Sequence, residues 1–223
     1  MKVVILNPTR TEMIICNFPI ILASKSPRRR FLLENAGIEF SVVPGSVREQ
    51  DFLFLKPETY VRTLAEAKAR DVAEKHPDAW VIGADSIVLI SDTILEKPNS
   101  IAHARRMIRH LSGSTHRVLT GYSIMCQDKS HMFTDSVTTE VMFKQLTEEE
   151  IEWYIHTEEP YDKAGGYAIQ GLGSFMVKGI IGSYSNVVGL PVCEVINHLY
   201  RQSVISRKIV KTDFKAAAGK DLP

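Results

Sequence analysis

Apolar residues gather in short blocks along the chain, separated by polar stretches with a helical period. Ile20 to Ala23 read as a buried strand. Ser26 then stands as an N-cap, Pro27 at the first helical position and Gly37 as the stop, which predicts a helix between them. Phe40 to Val43 predict a second short strand, and 44–57, with two prolines and mixed charge, a loop. Glu58 to Lys75 place Tyr60, Leu64, Ala67 and Val72 on or near one helical face. Trp80 to Ile90 is strongly strand-like and Ser91, Asp92 and Thr93 form a turn. A helix capped by Ser100 covers Ile101 to Leu111 and stops near Gly113. Arg117 to Gln127 and Ser136 to Lys144 predict two more strands. Thr147 with Glu150 makes a capping box for a helix to about Thr157. A stretch with Gly165, Gly166, Gly171, Gly173, Gly179 and Gly182 follows, and Pro191 opens a last helix to about Tyr200. Residues 1–18 precede the first clear element and 207–223 are polar and expected to fray. Interspersed strands and helices predict an α/β fold with a mixed sheet.

Composition narrows the class. A chain of 223 residues with 44% hydrophobic content can build a full core in one domain of ordinary size, or one domain plus appendages. A net charge of +1 argues against a surface that tracks nucleic acid, so any basic site is local. Cys16, Cys126 and Cys193 are odd in number and lack metal-type spacing, which predicts reduced thiols in a cytoplasmic protein. No apolar run approaches a membrane span, and Pro8, Arg10, Glu12, Asn17 and Pro19 interrupt any secretory pattern.

Two features stand out against this background. Arg28, Arg29 and Arg30 crowd the first turn of the helix after Ser26, the end that already carries about half a positive charge. A strand that turns into a helix N-terminus is an anion site, and arginine forks suit phosphate oxygens. Three solvated surface arginines, one pairing with Glu34, explain the pattern equally well. One turn cannot aim all three at one ligand, so Arg30 is the one expected to face solvent. The second feature is Asp85, which interrupts an apolar strand. A buried carboxylate must be paired, hydrogen-bonded or metal-bound. It is either a structural residue at a bend or a metal ligand or base that activates water, with Gly83 and Ala84 leaving room for something large. Lys68, Lys97 and Glu49 are not singled out by pattern. His110 and His116 lack any H-x-E or H-E-x-x-H context, which excludes a zinc hydrolase. The glycine-rich stretch contains Asp162, Lys163 and Gln170 but is neither a P-loop nor a dinucleotide fingerprint, and no G-x-S-x-G elbow occurs.

Four segments in order resemble the Maf family of nucleoside triphosphate pyrophosphatases: LASKSPRRRFLLENAG, GADSIVLI with ILEKP, LSGSTHRVLTG, and EPYDKAGGYAIQGLGSFMVKGIIGSYSNVVGLPV. The resemblance runs from about Ile20 to Leu199 and sets a family domain at 19–206, with an extension at 1–18 and a tail at 207–223. It implies a mixed, twisted sheet with flanking helices and two lobes around a cleft, related to the inosine triphosphate pyrophosphatases. It further implies hydrolysis of the α–β phosphoanhydride with a divalent cation, Mg²⁺ or Mn²⁺, in a homodimer without nucleic-acid or membrane partners. By position, Ser24, Arg28 and Arg29 match the phosphate-binding opening, Lys68 and Lys97 the phosphate-facing lysines, and Asp85 the proton acceptor. Glu49 with Asp85 matches the metal-binding carboxylates. Arg28, Ser86 and Gln170 fall at specificity positions, and Gln170 with SYSNVVGLP resembles the branch that uses dTTP and UTP, modified pyrimidines included. Three residues depart from the pattern: Ser86 for a usual threonine, Arg48 for an acid and Glu96 for a glycine. The competing expectations are a non-catalytic nucleotide-binding regulator of cell division and a purine-selective house-cleaning pyrophosphatase.

Overall fold

A computed structural model describes residues 10–47 and 56–211. Its centre is a mixed sheet, as the interspersed strands and helices predict, and it has seven strands. β2 (Ile20–Leu22) lies parallel to both β3 (Ser41–Val42) and β4 (Trp80–Ile90). β4 then runs antiparallel to β6 (Thr115–Cys126), β6 to β7 (His131–Phe143), and β7 to β8 (Val177–Ile181). The short β5 (Thr93–Leu95) returns on the end of β4, pairing with Val88, Leu89 and Ile90. Three of these elements exceed the pattern reading: β7 starts five residues earlier than Ser136, β5 begins at Thr93, the last residue of the predicted turn, and β8 arises in the glycine-rich stretch.

A second sheet was also not legible as such. β1 (Arg10–Cys16) pairs antiparallel with β9 (Ile205–Lys211). Residues 10–16, expected to precede the first element, and 207–211, expected to fray, are thus joined as a two-stranded ribbon.

Alternation along β4 and β6 divides the core by face. On one face, Trp80, Ile82 and Ala84 join Tyr122 and Ile124 against α1 (Pro27–Asn35) and α6 (Val192–Arg201). Further along the same face, Val88, Ile90 and Val118 join α3 (Ile101–Leu111) and α4 (Glu148–Ile155). The caps read from sequence are present: Ser26 accepts from Arg29 N, Ser100 from His103 N, and Thr147 and Glu150 bond reciprocally. His116 belongs to this second cluster. It is buried edge-on against Phe143, with Nε2 2.7 Å from the Tyr167 hydroxyl. Burial pushes its pKa down to about 4 and pushes the Tyr167 phenol up, so a neutral imidazole serves as a core side chain.

The opposite face is covered by α2 (Pro57–Ala73), through Val61, Leu64, Ala65, Ala69 and Val72. Gly83 and Gly121 lie under this helix. A Cβ on Gly83 would stand 2.3 Å from the Ala65 carbonyl oxygen, and one on Gly121 2.2 Å from that of Val61. The room left by Gly83 is therefore filled by helix backbone rather than by a ligand. Gly83→Ala and Gly121→Ala are each expected to cost at least about 3 kcal/mol, because the collision is with backbone that no rotamer can relieve. Urea unfolding midpoints measure this; a loss below about 1 kcal/mol at both positions would refute the close seating of the helix.

Candidate active site

The two apolar clusters of the first face are separated by a polar seam. On β4, Ser86 lies between Ala84 of one cluster and Val88 of the other. Its partner across the ladder is Thr120 on β6. On the α2 face the break falls at the same height, where Asp85 pairs with Gly121 between Val81 and Ile87. The flank of β4 opens here too. Pairing with β2 ends at Ile82 and pairing with β5 begins at Val88, so on that side Ala84–Ile87 have no strand partner among the described residues. The turn from β2 into α1 reaches this region through Arg29, which bonds both Ser24 and Ser86, and the connection from β5 into α3 begins after Leu95, opposite Val88.

Asp85 is 8% exposed, and its Oδ1 accepts a hydrogen bond from Lys68 Nζ at 2.6 Å. The glycine seats of α2 make this possible, since they bring the helix close enough for a lysine on it to reach a carboxylate on the strand beneath. A charge-assisted bond of this kind compensates a carboxylate that burial would otherwise make very costly.

On the other face, Ser24 and Arg29 come from the β2–α1 turn and α1. Arg29 Nε donates to the Gly189 carbonyl at 2.7 Å, Nη1 to Ser24 Oγ at 3.2 Å and Nη2 to Ser86 Oγ at 3.1 Å. The guanidinium thus ties α1, β4 and the end of α5 (Tyr184–Val188) together. Arg28 turns elsewhere: its Nη1 meets Asp162 Oδ2 at 3.4 Å, across to the segment Glu159–Asp162. Burial would raise the Asp162 pKa, but the hydrogen bond and charge of Lys163, with Arg28 adding, hold it below the ordinary carboxylate range. Arg30 pairs with Glu34 at 2.7 Å on the exposed face of α1, as the sequence allows.

Lys97 is exposed in the connection that follows β5, and β5 runs back along β4 toward the gap. Gln170 is half-buried beside Ile169, a residue that packs against both apolar clusters and so sits over the seam. Its turn is held by Glu159, whose carboxylate accepts from Leu172 N at 2.9 Å, Gly173 N at 2.8 Å and the Tyr154 hydroxyl at 2.9 Å. Glu49 and Arg48 lie outside the described residues. Among the described residues no group of three His, Cys, Asp or Glu side chains could hold a metal ion by itself.

Sequence reasoning missed Thr120, Thr139, Asn186, Gly189 and Glu159. Thr120 and Thr139 are fully buried hydroxyls, and Asn186 is a fully buried amide. The available signals were a threonine within the apolar run of β6 and the polar SYSN sequence before an apolar pair.

Residues 19–202 match the family described as Maf-like protein, and the chain belongs to that family. Among its relatives, the dTTP/UTP pyrophosphatase of Geotalea uraniireducens (strain Rf4) is 52% identical over 186 residues, which cover 83% of this chain and 96% of that one. The dTTP/UTP pyrophosphatase of Citrifermentans bemidjiense is 49% identical over 183 residues, covering 82% and 95%. A HAM1 protein from Coxiella burnetii, a solved structure, aligns over 56% of this chain and 73% of its own at 15% identity and TM-score 0.37; the fold assignment rests on the family match instead. No helix among the described residues is long and apolar enough to cross a membrane.

The different partners of neighbouring arginines give a direct expectation. Arg29→Ala removes three hydrogen bonds from a charged donor and leaves their acceptors in a half-buried wall, a loss of about 1–3 kcal/mol. Arg30→Ala leaves the unfolding midpoint where it is, because its one ion pair is solvent-exposed. Equal midpoints for both variants in guanidinium chloride would show that Arg29 is not built into the wall.

Proposed function

We propose that this chain is a nucleoside triphosphate pyrophosphatase that hydrolyses dTTP and UTP to the monophosphate and pyrophosphate. The observation that carries the reading is the buried pairing of Lys68 with Asp85 of β4, whose next residue, Ser86, accepts from Arg29 on the other face, in a chain about half identical to relatives of that name. Anhydride hydrolysis requires neutralisation of phosphate charge, an activated water and a fixed geometry between them. Lys68, Lys97 and Arg28 supply cations around the gap, and Ser24 and Arg29 form its wall. Asp85 accepts the proton of the attacking water, oriented for that task by Lys68.

A divalent cation fits this donor set. Mg²⁺ is commonly held by one or two carboxylates together with substrate phosphates rather than by an all-protein cage. Asp85 is a hard oxygen ligand at the right place, and Glu49 is the second carboxylate of the proposal. When bound, the ion would draw charge from the phosphate oxygens. A cytoplasmic homodimer completes the reading; the three unbridged cysteines Cys16, Cys126 and Cys193 are in keeping with a reducing compartment.

Release of pyrophosphate from a panel of nucleoside triphosphates, measured with Mg²⁺ and with Mn²⁺, tests the activity. Asp85→Asn should lower kcat by at least about 100-fold while nucleotide binding persists, as expected for loss of a general base. Turnover within a few fold of wild type would reject the role of Asp85.

Substrate choice is assigned to Gln170. Uracil and thymine present carbonyl acceptors beside an N3–H donor, which an amide complements; 7-methylguanine is cationic and presents N–H donors, which a carboxylate suits better. The wild type should therefore prefer UTP and dTTP to GTP and 7-methyl-GTP. Gln170→Glu should reduce kcat/KM for the pyrimidines by roughly 5- to 150-fold, the range of a mismatched buried polar contact. An unchanged ranking in that variant would remove Gln170 from base recognition.

A further inference from the structure

Two histidines outside the site face each other, with His131 Nε2 2.9 Å from His198 Nε2. His131 is the first residue of β7, just past the tight turn of the β6–β7 hairpin. His198 lies in the last turn of α6 and is 9% exposed. The ring centroids are 5.1 Å apart, so the imidazoles meet by their edges rather than their faces. Aromatic neighbours hold both rings: His198 stacks on Phe133 at 4.2 Å, and His131 leans on Trp80 at 4.8 Å.

A contact between two ring nitrogens has room for one hydrogen. In the neutral pair one imidazole donates from Nε2 and the other accepts with its lone pair. A first added proton goes to an Nδ1 and leaves that bond in place. A second puts an N–H on both sides of the contact, where two donors and two positive charges oppose each other. The surroundings do not offset such charge. The last turn of α6 favours a cation, but Arg201 already supplies one, and it faces His198. Across the ladder from His131, the Cys126 thiol gives its hydrogen to the Pro77 carbonyl. At the hairpin tip Lys129 lies over the Phe18 ring, and Asp128 bonds Pro77 through its main chain. Glu194, one turn before His198, acts on Tyr122 instead. Among the described residues neither imidazole is paired with a carboxylate. Burial lowers the pKa of both rings, and for His198 the charges of His131 and Arg201 add to it.

His198 also stands where α6 leads into the terminal ribbon. Its carbonyl accepts from Gln202 N at 3.1 Å, and the Leu199 carbonyl accepts from Val204 N at 2.9 Å. Asn17, just past β1, donates from Nδ2 to the Ser203 carbonyl at 2.9 Å. The end of α6, the hairpin tip and the root of the ribbon are thus one connected unit.

We propose that the His131–His198 pair is an acid-sensitive latch: when both rings are protonated it parts the hairpin tip from the end of α6 and loosens the β1–β9 ribbon. The inference goes beyond the pyrophosphatase reading and does not depend on it. The sign follows from the lowered pKa values. Stability from the pair is fully present above about pH 6.5 and is lost as pH falls below it, because unfolded histidines take up protons that the native pair resists.

The test is hydrogen exchange of the ribbon amides at about pH 7.5 and about pH 5, corrected for the intrinsic chemical rate. It compares wild type with the double variant His131→Gln/His198→Gln, whose amides can bond across the contact without titrating. On acidification, protection in the wild type should fall at least about tenfold further than in the double variant, the effect of one pKa unit. His116, held neutral in the core with its pKa near 4, contributes equally to both proteins. A merely structural pair would change protection by the same factor at both pH values. A wild-type fall within about twofold of the variant's overturns the latch. Should the double variant fail to fold, the imidazole chemical shifts of the wild type decide. Two proton uptakes separated by at least about one pH unit are expected of a coupled pair; one common step for both rings near pH 6.5 overturns the latch.

Discussion

Helix α2 rests on the sheet without side chains between its backbone and the strands at Gly83 and Gly121. Much of the site follows from that spacing. The seat of the helix sets how far Lys68 stands from β4, and a lysine at that distance can hold a carboxylate that would otherwise be buried unpaired at Asp85. Two glycines on adjacent strands thus act as the fixed plane from which the charged pair is measured. Larger residues there would lift the helix, and the pair would be drawn apart before any catalytic atom changed.

The opposite face solves a different problem. Three cations on the first turn of α1 oppose both the helix dipole and one another. The fold gives each a separate destination: Arg28 to Asp162, Arg29 to the Gly189 carbonyl and two serine hydroxyls, and Arg30 to Glu34. Their directions diverge as a single turn requires. Arg28 meets its carboxylate at 3.4 Å on the far side of the seam, so this arginine and the loop that leads to Gln170 are in electrostatic contact.

How much of this was legible depended on whether the cause was local. Caps are local, and Ser26, Ser100, Thr147 and Glu150 declared their helices through side chains bonding a few residues away. An out-of-place polar residue is also a local anomaly, and Asp85 had to have a partner. The identity of that partner was not local: Lys68 looks like any surface lysine until the helix is laid over the strand. Gly83 was misread for the same reason, because a missing side chain reports closeness without saying what is close. The buried hydroxyls Thr120 and Thr139 carry little sequence signal, since threonine is at home in any strand. β1 and β9 escaped because a strand pair between distant segments leaves no periodic trace when each member is short and mixed in polarity.

That terminal ribbon has a consequence for the way the protein folds. Its register places Arg10 opposite Lys211 and Cys16 opposite Ile205, so each rung closes a loop containing nearly the entire domain. The entropic cost of such closure is met only after other contacts have already drawn the two segments together. The β6–β7 hairpin, whose strands follow one another in sequence, and the β4–β6 pairing, which spans far less chain than the ribbon, can form without waiting for it. Amides of the ribbon would then be among the last to gain protection from hydrogen exchange during refolding, and their protection would mark completion of the domain rather than its nucleation.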